Sequence, residues 1–314
     1  DSRFLQGNTA NSPWEALLIC LLSIIKKYSL EKKWCIIKNI ILHRERTMKE
    51  KAWKNVIAVL IIALALMAGG INVSAASGIT IRQGKVYQNN KVYTGWFSQN
   101  NGKYYSVKGI RAKGWKKISN KYYYFDRNSR LITNHIVGSK TTGYFYVDKT
   151  GVRVTTKEIR QAVAFVMRYS KATDLPSKRL RTCFRTLLNY PYYNMTDHAP
   201  RANQIASCAG YMFTYRRGDC YYYASTMAYI ARVLGYDARV ACGAVTARGP
   251  YAALSPHGWC EVKYGNAWKM LDCSMQRVHT NKNLCLVTRK QYPFRLRCDR
   301  VCTMKSSYGT IKWA

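Results

Sequence analysis

Apolar positions change their spacing along the chain. Between residues 84 and 155 short aromatic runs alternate with turn residues. Gly95-Trp96 leads into Gln99-Asn100-Asn101-Gly102 and Tyr104-Tyr105; Gly114-Trp115 leads into Tyr123-Tyr124 and Arg127-Asn128-Ser129. Short apolar runs bounded by Asn, Gly and Ser predict β-hairpins. The two Gly-Trp pairs lie 19 residues apart, as do the two Tyr-Tyr pairs. Phe145-Tyr146-Val147-Asp148 with Gly151 is a third copy of Tyr123-Tyr124-Phe125-Asp126, 22 residues on. A hairpin of about 20 residues cannot bury an aromatic face alone, so the hairpins are expected to stack or to pack on the part that follows.

From Lys157 the spacing turns helical, over Glu158–Tyr169 and Lys178–Leu188, with Pro176 breaking the chain between them. Another helix is predicted to start at Cys220, with Met227, Ala228, Ile230, Ala231 and Leu234 on one face and Gly235 as its stop. Two strands follow, Trp259–Tyr264 and Trp268–Asp272, joined by a tight turn at Gly265-Asn266. The expected architecture is a hairpin repeat segment at 79–156 and an α+β domain at 157–314, with the boundary near 153–157.

Met48 opens a stretch with a basic head (Lys49, Lys51, Lys54), an apolar run from Val56 to Ala68, and small residues at Val73-Ser74-Ala75. The run is short for a membrane span, and residues 48–75 read as a secretory signal peptide. Residues 1–47 are expected to be a non-native or untranslated upstream segment.

Charge narrows the partners. The chain carries 51 basic and 15 acidic residues, a net charge of +36. Both parts share it: residues 79–156 hold 15 basic and 2 acidic side chains, residues 157–314 hold 25 and 8. Such a surface favours an anionic partner. Export makes nucleic acid a poor one and points to a cell-wall polymer, a glycan or anionic lipid. Nine of the eleven cysteines follow the signal, an odd number that leaves at least one thiol without a partner inside the chain. No paired CxxC at zinc spacing occurs, and no metal or organic cofactor is implied.

The candidate chemistry begins at Arg217-Gly218-Asp219-Cys220. Asp219 can cap the helix, which places Cys220 at its N-terminus, where the helix dipole and Arg216 and Arg217 favour thiolate. A thiolate needs a partner that returns a proton to the leaving group. His257, in Ser255-Pro256-His257-Gly258-Trp259-Cys260-Glu261-Val262, begins the first strand of the hairpin whose second strand ends at Asp272. Antiparallel pairing can therefore bring the two together, with Asp272 orienting the imidazole. Taken singly, Cys220 also fits a buried or disulfide-bonded cysteine; His198 and His279 have no partner motif. Cys260 and Cys273 are expected on adjacent strands, facing away from His257 and Asp272.

These three motifs resemble those of the transglutaminase-like superfamily: Gly-Asp-Cys opening a helix, His-x-Trp-Cys-Glu-Val on a strand, and an Asp ending the next strand. Gly235 to Val240 also resembles the family's link from helix to sheet. The resemblance runs from about 158 to 276 and implies a papain-like α+β fold, with Cys220 as nucleophile, His257 as base and Asp272 as orienting acid. Gly258 stands where Ala is commoner. The resemblance implies an enzyme acting on amide bonds of a protein or peptide through a thioester; hydrolysis is expected, and protein-glutamine crosslinking is the alternative. The hairpin segment resembles cell-wall-binding repeats of the choline-binding type, which implies ligand contacts at Trp96, Tyr104, Trp115, Tyr123 and Tyr124. Asn134-His135 replaces the third Gly-Trp, and Ser106-Val107 follows Tyr105 in place of Phe-Asp. The abundance of Lys suits an anionic glycan or phosphate polymer better than a cation. A third reading is a non-catalytic wall-binding protein. The expected location is extracellular or wall-associated.

Overall fold

The computed structural model describes residues 78–249 and 251–314. The signal sequence and upstream segment expected at 48–75 and 1–47 lie outside them. No helix among the described residues is long and apolar enough to cross a membrane.

Eleven short strands form the hairpin segment: β1 (Ile79–Arg82), β2 (Lys85–Gln88), β3 (Lys91–Val92), β4 (Gly95–Gln99), β5 (Gly102–Val107), β6 (Ile110–Arg111), β7 (Gly114–Ile118), β8 (Lys121–Phe125), β9 (His135–Ser139), β10 (Gly143–Val147) and β11 (Arg153–Val154). Two-residue turns set their register. Asn100 and Asn101 sit at φ 47° and 56°, and Ser119 and Asn120 at 47° and 62°. These left-handed pairs match the strand twist, and Asn adopts them cheaply. The register pairs Trp96 with Tyr105 and Trp115 with Tyr124. In the third copy it pairs Val147 with His135 and Tyr146 with Ile136. His135-Ile136 therefore occupies the Gly-Trp register, one residue later than Asn134-His135 as read from the sequence. The copy itself is real in three dimensions: Asp126 and Asp148 both donate their backbone N–H four residues on, to Arg130 and Val152. The hairpins stack through bonds such as Leu131 N–H to Lys103 O (2.8 Å) and close a small core of Ile118, Phe125 and Leu131.

The second part contains α1 (Lys157–Tyr169), α2 (Pro176–Leu187), α3 (Ile205–Tyr215) and α4 (Cys220–Val233). Pro176 opens α2 at a position that has no N–H to satisfy, so the expected break is a helix start. The sheet follows: β12 (Ala238–Val245), β13 (Ser255–Tyr264), β14 (Ala267–Leu271), β15 (Cys285–Val287), β16 (Leu296–Ser307) and β17 (Thr310–Trp313), with α5 (Cys273–Val278) after β14. It is antiparallel throughout, in the order β15-β14-β13-β12-β16-β17. The basic C-terminal stretch is thus part of the sheet.

Helix α4 is not one-sided as its apolar spacing suggests. Every residue in it except Tyr222 is buried, enclosed by α1, α3, β12 and β13. Its one buried cation, Arg232, donates to Asp237 Oδ1 (3.0 Å) and to Met304 O (3.0 Å). Gly235, at φ 94°, ends the chain's turn out of this helix.

The same corner holds the third hairpin. The Asn134 side chain donates to Gly235 O (2.7 Å) and accepts from Tyr146 Oη (2.7 Å). Asp148 accepts from Thr150 N–H and Val152 N–H within its own turn and from Gly309 N–H (2.7 Å) between β16 and β17. The hairpin that lacks a Gly-Trp pair is thus hydrogen-bonded to the α/β part.

Candidate active site

Asp219 caps α4: its Oδ1 accepts from the backbone N–H of Tyr221 (2.9 Å) and Tyr222 (3.3 Å). Its Oδ2 accepts from Met195 (3.3 Å) and Thr196 (3.1 Å), which ties the 192–200 loop to the helix start. Burial raises the Asp219 carboxyl above its usual value, and these four N–H groups pull against that. Cys220 is the first residue of the helix and only 5% exposed.

His257 lies in β13 and Asp272 directly follows β14, the strand paired with it. His257 Nε2 lies 2.9 Å from Asp272 Oδ2, both buried. With Nε2 engaged there, Nδ1 is the ring nitrogen left to act toward Cys220, whose sulfur is close enough to influence the imidazole. Burial alone favours neutral imidazole. The Asp272 charge, the nearby Cys220 sulfur and the bond to Asp272 outweigh it and raise His257 to about 10. Asp272 is held below the ordinary carboxylate range despite its burial, by His257, the Tyr292 hydroxyl and the Met275 N–H. The arrangement therefore supports an imidazolium beside a sulfur nucleophile, with a charged carboxylate behind it.

Asp272 follows β14 and caps α5, accepting from Met275 N–H (3.2 Å) and Ser274 Oγ (3.2 Å). Cys273 is thus the first residue of a helix rather than a strand residue. An Asp directly after the apolar pair Met270-Leu271 is a helix-capping signal. Cys260, Cys273 and Cys285 lie near one another with thiols pushed up by burial. All nine cysteines among the described residues are free thiols.

Two tyrosines complete the site. Tyr292 Oη donates to Asp272 Oδ2 at 2.6 Å; nothing in its sequence surroundings marks it. The Tyr192 hydroxyl sits beside the Cys220 backbone N–H and sulfur. Its backbone is fixed by a bridge to Gly218 and by Tyr193 N–H to Gly218 O (3.0 Å). Gly258 has a steric reason: a Cβ there would lie 2.4 Å from Tyr221 Cδ1. The bulky Tyr221 next to Cys220 thus leaves no room for an Ala at this position. Arg217, expected to favour thiolate at Cys220, instead lies over the Tyr193 ring (5.0 Å) and donates to Tyr211 Oη (3.4 Å). His198 pairs with Asp197 at the surface, and His279 Nε2 lies 3.0 Å from Ala247 O. Beside the site a cleft of about 610 Å³ is walled by Tyr221, Cys242, Leu254, Pro256 and Arg297.

The aromatic residues expected to bind ligand separate into three groups. Trp96 meets Tyr105 (5.1 Å) and Tyr123 (4.9 Å). Trp115 meets Tyr124 (5.2 Å) and Phe145 (5.7 Å). Tyr104 is on the other side of its hairpin, stacked on Phe97 (5.4 Å), because its register partner is Phe97 and not Trp96.

Residues 162–273 match the family model described as the transglutaminase-like superfamily, and this part of the chain is a transglutaminase-like domain. Among solved structures, the N-terminal hairpins are similar to choline-binding proteins of Streptococcus pneumoniae. The choline binding domain of Spr1274 is 26% identical, with 20% of this chain and 97% of that one covered and a TM-score of 0.19. CbpJ is 23% identical, over 24% of this chain and 28% of that one, with a TM-score of 0.21. Choline binding protein F is 24% identical, over 25% and 26%, with a TM-score of 0.21. The matched regions span about a quarter of the length of the last two. No curated protein matches the chain.

Proposed function

We propose that the protein is an exported, wall-associated cysteine enzyme that cleaves amide bonds of a protein or peptide through a thioester. The observation that carries this reading is Cys220 at the capped start of α4, facing an imidazole held 2.9 Å from Asp272. Cys220 Sγ attacks the carbonyl carbon, and the π electrons of that bond pass to its oxygen. On this reading the Cys220 N–H and the nearby Tyr192 hydroxyl donate to this oxyanion. The tetrahedral intermediate collapses; the C–N bond breaks and the amine leaves with the proton from His257. Water then gives its proton to His257 and attacks the thioester, which releases the acid and the Cys220 thiol. Water is the second nucleophile that is always at hand; a lysine amine in its place gives crosslinking. The hairpin segment, with its excess of Lys and Arg, supplies the attachment to an anionic wall glycan.

Iodoacetamide labelling tests the first step. Selective, fast alkylation of Cys220 that is lost in His257→Ala is the expected result. Alkylation no faster than that of a free thiol in a peptide overturns the enzyme. A glutamine-containing peptide incubated with and without a labelled amine tests the second nucleophile. Free acid in both is expected, and incorporation of the amine overturns hydrolysis.

A further inference from the structure

Both Gly-Trp hairpins have a cation over the Trp ring, and each cation comes from the chain itself. The Arg153 guanidinium lies over Tyr122 (4.2 Å), Phe145 (4.8 Å) and Trp115 (5.5 Å). Its buried Nε has no hydrogen-bond partner, and the guanidinium packs on the three rings. This cage is full. At the other hairpin a single lysine, Lys103, places its ammonium 4.8 Å from the Trp96 ring. One exposed cation–π contact contributes about 0.5–1 kcal/mol, little enough for a ligand to displace it.

Trp96 and Lys103 line a groove of about 920 Å³. Tyr123 and Arg130 share that wall, and Tyr308, from the turn between β16 and β17, forms the facing one. Tyr308 is 64% exposed and sits at φ 49°, a left-handed position where Asn or Gly is the inexpensive residue. The turn is clamped there by Tyr308 N–H to Thr150 Oγ1 (3.2 Å) and Gly309 N–H to Asp148 Oδ2 (2.7 Å). A bulky ring is thus held in a strained turn against solvent, with the Lys121 ammonium 4.7 Å from it. Lys103 and Arg130 have no carboxylate partner among the described residues; Arg130 donates to Asn101 O (2.6 Å). The groove holds one acid, Asp126, which accepts the Arg130 backbone N–H (2.8 Å), and Lys149, already paired with Asp237.

We propose that this groove, built from both parts of the chain, binds an anionic saccharide. A sugar ring lies on the aromatic walls of Trp96, Tyr123 and Tyr308. Its carboxylate or phosphate meets Lys103, swung off Trp96, and Arg130. A quaternary ammonium is disfavoured here, because it would enter between Lys103, Lys121 and Arg130. The inference rests on the glycan-attachment half of the function proposed above and is independent of the chemistry at Cys220.

Calorimetric titration of the full chain carrying Cys220→Ala tests it at about 0.15 M salt. The probes are a poly(ribitol phosphate) chain, a muramic-acid-containing oligosaccharide, chitohexaose, inorganic polyphosphate and choline. Binding of the phosphate-bearing or the carboxylate-bearing saccharide, roughly tenfold tighter than chitohexaose, is expected, and whichever binds identifies the source of the anion. Tyr308→Ala and Arg130→Ala should each weaken it by roughly tenfold, and Tyr308→Trp should restore it. The idea is overturned if neither saccharide binds, if polyphosphate binds as well and Tyr308→Ala changes nothing, or if choline is preferred. Cys220 alkylation in Tyr308→Ala with Cys220 present should match wild type, which separates a failed groove from a failed fold or a failed enzyme.

Discussion

Trp96 and Trp115 lie half-buried on the hairpins, whereas Trp259 in the α/β part is fully buried. The Trp259 Nε1 donates to Glu261 Oε1 at 2.8 Å, while the Trp115 Nε1 has no partner. Glu261 also binds Arg239 (2.6 Å) and Arg289 (2.6 Å), residues 22 and 28 positions away along the chain. The hairpins set their rings by two-residue turns and by contacts to the next hairpin, such as Trp96 to Tyr123 (4.9 Å) and Trp115 to Phe145 (5.7 Å), and the third keeps the register with His135-Ile136 in place of Gly-Trp. The α/β part holds Trp259 and Glu261 by long-range polar bonds inside a closed core. A nucleophile that must keep its distance to a base within tenths of an ångström belongs in the second kind of structure. A surface that meets a polymer tolerates the first.

Asp272→Asn strikes the closed part hardest. It removes the charge that holds up His257 and offers a donor where Nε2–H needs an acceptor. A loss of about 10³–10⁴ in kcat/KM is expected, with the fold retained because the Met275 and Ser274 bonds can re-form. The pH dependence sharpens this. His257 is raised from 6.5 to about 10, so its pairing stabilises the fold fully below about 6.5 and the gain is lost as pH rises through about 10. Wild-type Cys220 alkylation should therefore keep its imidazolium-dependent rate until pH approaches 10. In the variant that limb should move down toward 6.5. An unmoved limb would show that Asp272 does not set the His257 charge.

Glu261→Gln comes next. It leaves Arg239 and Arg289 facing a neutral amide. About 3 kcal/mol of stability should be lost, the lower end for a broken buried pair, since the Arg289 side chain is 38% exposed. Glu261 is held below its usual value against the pull of burial, chiefly by Arg289. Its contribution is present above its unfolded value of about 4.5 and is lost as pH falls through the folded one. Denaturant midpoints should converge between wild type and variant on acidification. Parallel curves would mean that the charge contributes nothing.

How much of this was legible in sequence follows the same division. Local patterns announced the hairpins, and three short motifs announced Cys220, His257 and Asp272, because each is set by its own neighbours in sequence. Tyr292 and Arg153 were not legible: each acts on residues 20 or more positions away through the fold alone, and neither stands in a motif. Helix α4 was read as one-sided because Tyr, Ser and Thr count as polar, although here Ser225 Oγ donates to Tyr221 O and Tyr223 Oη donates to Tyr190 O inside the core. The third repeat was read one residue early because only pairing, not composition, fixes a strand's register.

Gly258→Ala probes fit beside the nucleophile. The added methyl meets the Tyr221 ring at 2.4 Å, so the ring must shift or the strand must bend. A cost of about 1–3 kcal/mol is expected, with a fall in kcat because Tyr221 adjoins Cys220. Gly258→Ala combined with Tyr221→Ala should recover stability. Failure to recover would mean that the glycine serves the backbone and not the ring.

The smallest effect is expected where the two regions meet. Asn134→Ala removes the donor to Gly235 O and the acceptor of the Tyr146 hydroxyl, at a cost of about 1–2 kcal/mol. The Asp148–Gly309 bond and Ile136, packed against the main core, remain. The hairpin should therefore loosen without unfolding the α/β part. Limited proteolysis should cut faster between residues 139 and 143, while Cys220 alkylation keeps its wild-type rate. If alkylation slows in step with cleavage, the docked hairpin supports the geometry at Cys220, and the division between a tolerant surface and a closed core fails at this corner. If neither changes, Asn134 is spare and the Asp148 turn carries the joint alone.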